Sequence, residues 1–155
     1  MSLRLTLAIL TLTLAFPALA CDMPPDLPKV EAELINNINA ERRAKGLSLL
    51  TASPALTRAA QSLACDNAAR KRVSHTGADS STLKSRLAAQ GYRFAAAAEN
   101  AAGGYPDAAA VTAGWMHSPD HRRNILTPPL REIGVGVAKG ADGQLYWIID
   151  LAVRQ

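Results

Sequence analysis

Residues 132–151 read Glu132-Ile133-Gly134-Val135-Gly136-Val137-Ala138-Lys139-Gly140-Ala141-Asp142-Gly143-Gln144-Leu145-Tyr146-Trp147-Ile148-Ile149-Asp150-Leu151, and they repeat with a period of two. Ile133, Val135 and Val137 alternate with Gly134, Gly136 and Ala138, which predicts a strand with one branched face and one bare face. Leu145, Trp147, Ile149 and Leu151 alternate likewise. Asp142-Gly143 between the two runs is a hairpin signal. A bare glycine face calls for close approach by a helix or another backbone. Gly134-x-Gly136 is no nucleotide loop, because it lies inside a strand pattern with no helix after it.

Upstream of this hairpin the period changes. Val30, Leu34, Ile35 and Ile38 fall at helical spacing, and Gly46 supplies a stop. Ser53-Pro54 reads as a helix start, with Leu56, Ala59, Ala60, Leu63 and Ala64 as its apolar stripe. Arg70, Lys71 and Arg72 form the longest basic run and read as the solvated last turn of that helix. Ser74 to Ser81 is a polar loop, and Thr82 to Gln90 a short helix stopped by Gly91. Four alanines at 95–98 lead into Glu99-Asn100, and Gly103-Gly104 opens another loop. Ala108 to Met116 is helical, with Val111 and Trp115 four apart. Ser118-Pro119 repeats the cap-and-proline signal and starts a one- or two-turn helix through Leu126. Helices first, strands last and no βαβ rhythm predict an α+β fold.

The chain has 155 residues, 48% of them hydrophobic and 19% charged, which is a globular balance for one domain. Aromatics are 5%, so the core is built mainly from aliphatic and small side chains. With 17 basic against 13 acidic residues the net charge is +4, too mild and too dispersed for nucleic acid to be the main partner.

Residues 1–20 carry an early Arg4, an uncharged run from Leu5 to Phe16 and an Ala-x-Ala end at Ala18-Leu19-Ala20. That pattern predicts a secretory signal peptide, and so a secreted or periplasmic protein. The apolar run is shorter than the ~20 residues a transmembrane helix needs, and nothing later approaches it. Cys21 would then open the mature chain, with residues 21–29, rich in proline, as an extended lead-in and 30–155 as the domain. Cys65 is the other cysteine. An oxidising compartment favours a Cys21–Cys65 disulfide, worth roughly 4 kcal/mol on the chain-entropy model. The competing fate is a lipid anchor on Cys21, although Ala18-Leu19 inverts the usual lipoprotein order.

The candidate chemistry is sparse. The histidines are His75, His117 and His121. His117 and His121 are four apart, but Ser118-Pro119 between them argues against one shared helical face. No Gly-x-Ser-x-Gly and no His-Glu-x-x-His is present. Glu99, set between four alanines and Asn100, is a carboxylate expected to make specific hydrogen bonds.

Four blocks in order carry a resemblance: Ser74-His75-Thr76-Gly77, Ala98-Glu99-Asn100-Ala101, Trp115 to Leu126, and Glu132 to Gly136. With Asn39-Ala40-Glu41-Arg42-Arg43, they make residues 30–152 resemble a bacterial CAP (SCP) domain. That superfamily holds cysteine-rich secretory proteins, antigen 5 and plant pathogenesis-related proteins. The resemblance implies a three-layer α-β-α sandwich around a small antiparallel sheet. It also implies a cleft of two histidines and two acids that takes a divalent metal in some members. His75 matches the first histidine, Glu99 the first acid and His121 the second histidine. The second acid falls near Ser118, which has no carboxylate, so His75 and His121 remain as the metal ligands expected for an ion such as zinc.

Ser118 is expected to cap the short helix, with His121 at its third position and Asn124 and Asn100 bracing the loops. Glu99 is expected to bond at least one cleft histidine and to outweigh the helix dipole there. The function expected is that of a monomeric binding module for an extracellular or envelope ligand: a lipid or sterol, a glycan or a peptide. A metal-dependent hydrolase or peptidase using the same cleft is the alternative. A third reading makes the same three residues a hydrogen-bonded knot that only holds loops together.

Overall fold

The computed structural model describes residues 21–155; the expected signal segment, 1–20, lies outside them. The first helix, α1 (Leu27–Ala44), begins inside the lead-in, which therefore ends at Asp26 and does not run to residue 29. Pro28 is the reason: its preset φ and missing N–H suit the first turn of a helix. A two-residue strand β1 (Thr51–Ala52) precedes α2 (Pro54–Arg70) and the short α3 (Leu83–Ala89). Then come β2 (Phe94–Gly103), α4 (Ala108–His117), α5 (Pro119–Ile125), β3 (Glu132–Lys139) and β4 (Leu145–Arg154).

The sheet runs β1-β3-β4-β2. The predicted hairpin is its centre: β3 and β4 pair antiparallel, with Val135 opposite Ile149. Gly143 sits in the turn with φ +79°, a conformation glycine enters without a Cβ penalty. β2 pairs antiparallel with the other edge of β4, and β1 adds a short parallel pair on β3. The alanines at 95–98 lie in β2. Alanine has no strand preference of its own, so the pairing with β4 decides here.

Alternation on the sheet produces three layers. Val135, Val137, Trp147, Ile149 and Leu151 face α1 and α4, where Leu34, Ile38, Val111 and Trp115 complete the larger core. On the other face Ala138, Tyr146 and Ile148 meet Ala60, Leu63 and Ala64 of α2. Gly134 and Gly136 are bare because α2 lies directly on them, against the backbone of Leu56-Thr57 and Ala60-Gln61. The close approach expected from the sequence is therefore that of α2.

Two of the expected caps differ in detail. Ser53 and Ser118 occupy N-cap positions, yet neither side chain makes a capping hydrogen bond. Thr82 and Asp107 do cap, accepting from Ser85 N and Ala110 N. Arg70 is also more than a solvated helix end. Its guanidinium donates to the Asp66, Asn67 and Thr76 oxygens and fastens the loop after α2.

The Cys21–Cys65 disulfide is present and ties the lead-in to α2. Lys139 N donates to Asp22 O at 2.7 Å, and the Gln61 amide donates to Cys65 Sγ while pairing with the Val137 backbone. With Sγ of Cys21 so bonded, it cannot carry a lipid thioether. Non-reducing mass spectrometry of the purified protein is expected to find no alkylatable thiol and no lipid adduct. Two free thiols or a diacylglycerol mass would contradict the bridge.

Candidate functional site

The site gathers where β2 forms one edge of the sheet. Glu99 sits in β2, with its side chain 4% exposed. A buried carboxylate needs donors, and it has two charged ones. Arg86 of α3, equally buried, forms an ion pair with Oε2. His75, from the loop after α2, donates from Nδ1 to Oε1 at 2.7 Å. An ionised carboxylate only accepts, so the hydrogen lies on Nδ1 and His75 turns Nε2 away from Glu99. The His75 side chain is 59% exposed.

The loop that carries His75 is held from both sides. Asn67 Nδ2 donates to Ser74 O at 3.0 Å, and Arg86 Nη1 donates to His75 O at 3.3 Å and Ser81 O at 3.0 Å. Arg86 thus fixes both the carboxylate and the backbone of the histidine it orients.

His121 is the third residue of α5, as its spacing from Pro119 predicts. Its helix is tied to β2 through amides. Asn100 Nδ2 donates to His121 O at 3.0 Å, and Asn124 Nδ2 donates to Asn100 Oδ1 at 2.9 Å and Glu99 O at 3.3 Å. Asn100 and Asn124 therefore tie α5, and with it His121, to β2 beside Glu99. Ser118 sits at the α4–α5 junction, and among the described residues its side chain makes no hydrogen bond to the other site residues.

The two histidines are driven apart. The hydrogen bond to Glu99 raises the His75 pKa, helped by the Glu99 charge and opposed by burial and by Arg86. Burial lowers the His121 pKa, and the nearby His75 charge lowers it further against Asp120. Glu99 bonds one cleft histidine, His75, while the expectation that its charge also raises the His121 pKa against the helix dipole fails. His121 is set by desolvation and by the other histidine.

A zinc centre with catalytic geometry uses three protein ligands. Both oxygens of Glu99 are engaged, and among the described residues no group of three or more His, Cys, Asp or Glu side chains stands ready to hold a metal. Two imidazoles alone do not fit that requirement.

His117 belongs elsewhere. Its Nδ1 bonds Ala113 O at 2.7 Å, and it lines a separate surface groove with Met116, Pro119, Arg122, Arg123 and Leu126. Two residues of the site escape the sequence reading: Arg86 and, beneath Glu99, Asp150. Arg86 is three residues after Leu83 and one before Leu87 in a short helix, a position on the inward face. Asp150 is the acid in a strand whose other central residues are apolar on both faces, itself a sign of a buried polar contact.

With this geometry, similarity to known proteins is informative. A model of the cysteine-rich secretory protein family (CAP) matches residues 35–151. The chain is 29% identical over 113 residues to the Bacillus subtilis protein YkwD, covering 73% of this chain and 44% of that one. It is 30% identical over 107 residues to the B. subtilis membrane protein YlbC, covering 69% and 31%. It thus spans less than half the length of either relative.

Among solved structures, an extracellular SCP-domain protein of Bacillus anthracis superposes with a TM-score of 0.74 at 24% identity, covering 88% of this chain and 45% of that one. An outer surface protein of Borrelia burgdorferi gives 0.72 at 21%, covering 79% and 90%. These likenesses establish the fold, and both neighbours are extracellular or surface proteins. Among the described residues no helix is long and apolar enough to cross a membrane. The match over most of the chain, on a three-layer α-β-α fold, places the protein in the cysteine-rich secretory protein (CAP) family.

Proposed function

We propose that the protein is an exported binding module whose cleft at His75, Glu99 and His121 recognises a hydroxyl- or amide-bearing ligand of the cell exterior or envelope. The observation that carries this reading is the geometry of His75, an exposed imidazole held by Glu99 through Nδ1 with Nε2 turned outward; that contact raises its pKa, while burial lowers that of His121. The Glu99 contact favours the protonated form of His75, which offers an N–H donor at Nε2. His121 stays neutral and offers a lone pair. A hydroxyl or a peptide amide supplies the matching acceptor and donor. A sterol, a glycan and a peptide all carry such a group; a plain hydrocarbon chain does not.

The same split supports the second reading. Two neighbouring groups with separated pKa values are the usual acid–base pair, so a hydrolase would use His75 as acid and His121 as base. Binding is preferred because no three-ligand metal set accompanies the pair among the described residues.

The expected pH dependence has two limbs. Below its lowered pKa His121 gains a proton and loses its lone pair; above its raised pKa His75 loses its positive charge. Binding is therefore greatest between the two and falls on either side of the ordinary histidine value of ~6.5. Chemical-shift titrations against a sterol, a chitin-type oligosaccharide and a mixed peptide pool, with and without zinc, test this. Perturbations centred on His75 and His121 and lost in His121→Ala are expected. Shifts confined to other surfaces would contradict it, and zinc-dependent turnover of the peptides would favour the hydrolase.

A further inference from the structure

Asp150 is buried, with no exposed surface, in the middle of β4. Its direct cross-strand partners are Glu99 on β2 and Gly134 on β3. Neither of its carboxyl oxygens meets an N–H or O–H donor among the described residues. Two ionised carboxylates side by side in an apolar layer repel each other and lose their hydration. Arg86 supplies one positive charge, and it is spent on Glu99. Arg86 and His75 both pair with Glu99, and neither donates to Asp150, which is left without a counter-ion of its own.

We infer that Asp150 is a positioning residue of the cleft: a buried carboxylic acid that keeps its proton and donates it to Glu99, so fixing the carboxylate on which His75 hangs. Each Glu99 oxygen accepts one bond from His75 or Arg86 and has a further lone pair for the Asp150 O–H. The assignment of the proton to Asp150 follows from the partners. Glu99 accepts from two donors, Arg86 and His75, and Asp150 has none.

Every neighbouring element agrees. β2 presents the Glu99 charge, α3 presents Arg86, and β3 presents Gly134 with no side chain. The sheet-facing stripe of α2 here is Leu56, Ala59, Ala60 and Leu63, none of them titratable. Burial, then the Glu99 charge and hydrogen bond, push the Asp150 carboxyl well above the usual carboxylate range, with Arg86 opposing. Held so, Glu99 is gripped from three directions, by Arg86, His75 and Asp150. The proton on Asp150 stands apart from the binding proposal above. Only its service to the ligand site rests on that reading.

The test separates the two. The side-chain carboxyl carbon of Asp150, followed by NMR in the full-length mature protein, is expected to keep its protonated-acid shift through neutral pH. A carboxylate shift at neutral pH would overturn the inference whether or not the cleft binds anything. Asp150→Asn retains a donor toward Glu99 and removes no charge, so His75 is expected to titrate as in the wild type. A fall in the His75 pKa in that variant would mean that Asp150 had been ionised. Asp150→Ala removes the donor, leaves more of the Glu99 charge for the imidazole and is expected to raise the His75 pKa. An unmoved His75 in Asp150→Ala would overturn the positioning role. Should the alanine variant not fold, the carboxyl shift and the asparagine variant still decide the proton, and Asp150→Leu, which fills the same space without a donor, tests the positioning by the same rise in the His75 pKa.

Discussion

Gly136→Val is expected to leave the chain without a cooperative unfolding transition. Gly136 is buried in β3 opposite Ile148, and a Cβ there would overlap the backbone of Ala60 and Gln61 in α2. The obstacle is main chain, which cannot rotate away as a side-chain tip can. α2 would have to lift off β3 and β4, which would open the whole layer built on Ala60, Leu63, Ala64 and Ile148. Overpacking that moves only side chains costs about 1–3 kcal/mol. Displacing a helix costs more, on the order of 5 kcal/mol, which is comparable with the entire stability of an ordinary domain. Circular dichroism during urea unfolding checks it. A sigmoidal transition near that of the wild type would show that α2 does not lie as described.

Arg42→Ala is expected to lower stability by about 4 kcal/mol, in the range for stripping partners from a buried charged network. Arg42 has no exposed surface, although it belongs to a residue type that normally reaches water. Its guanidinium donates to four carbonyls: Ser48 O at 2.9 Å, Ile125 O at 2.7 Å, Thr127 O at 3.0 Å and Leu130 O at 3.1 Å. The last three close the C-terminal end of α5 and the turn into β3, so one side chain of α1 anchors the segment behind His121. Alanine would leave a cavity and buried acceptors without donors. Arg42→Lys keeps the charge but not the planar fork, and is expected to recover less than half of the loss. Thermal unfolding of the three proteins gives the order wild type, lysine, alanine. Equal stabilities would contradict the anchoring role.

The central hairpin was legible because its information is local. Branched residues alternate with glycine, and Asp142-Gly143 marks the turn, so the sequence itself records which face is covered. β2 was not legible. Its alanines carry no period, and it is a strand only because the edge of β4 is open to it, a fact of tertiary pairing. The serines at 53 and 118 predicted helix starts correctly, through position and the proline that follows, while their hydroxyls do not cap.

At the site, His75, Glu99 and His121 came from the family resemblance and not from spacing, which shows neither histidine beside the acid. The structure joins His75 to Glu99 directly. It reaches His121 only through charge and through the asparagines. Arg86 and Asp150 could have been suspected, since each is a charge on an inward or apolar face. Which carboxylate Arg86 would serve is a three-dimensional matter that the chain order does not contain.

The measurement that bears most directly on the site is an NMR titration of the histidine ring protons, in the wild type and in Glu99→Gln. In the wild type, His75 is expected to titrate above the ordinary histidine value and His121 below it. A raised folded-state value means that the His75–Glu99 contact stabilises the fold fully at acidic pH, below ~6.5, and fades as pH rises through the His75 transition. His121 works in the opposite direction, costing stability as pH falls below ~6.5 toward its own lowered value. Glutamine removes the charge and the strong acceptor. In the folded variant the His75 value is expected to drop to that of free histidine or below, while His121 moves little. Coincident titration of both histidines in the wild type, or a His75 value unchanged by Glu99→Gln, would contradict the account.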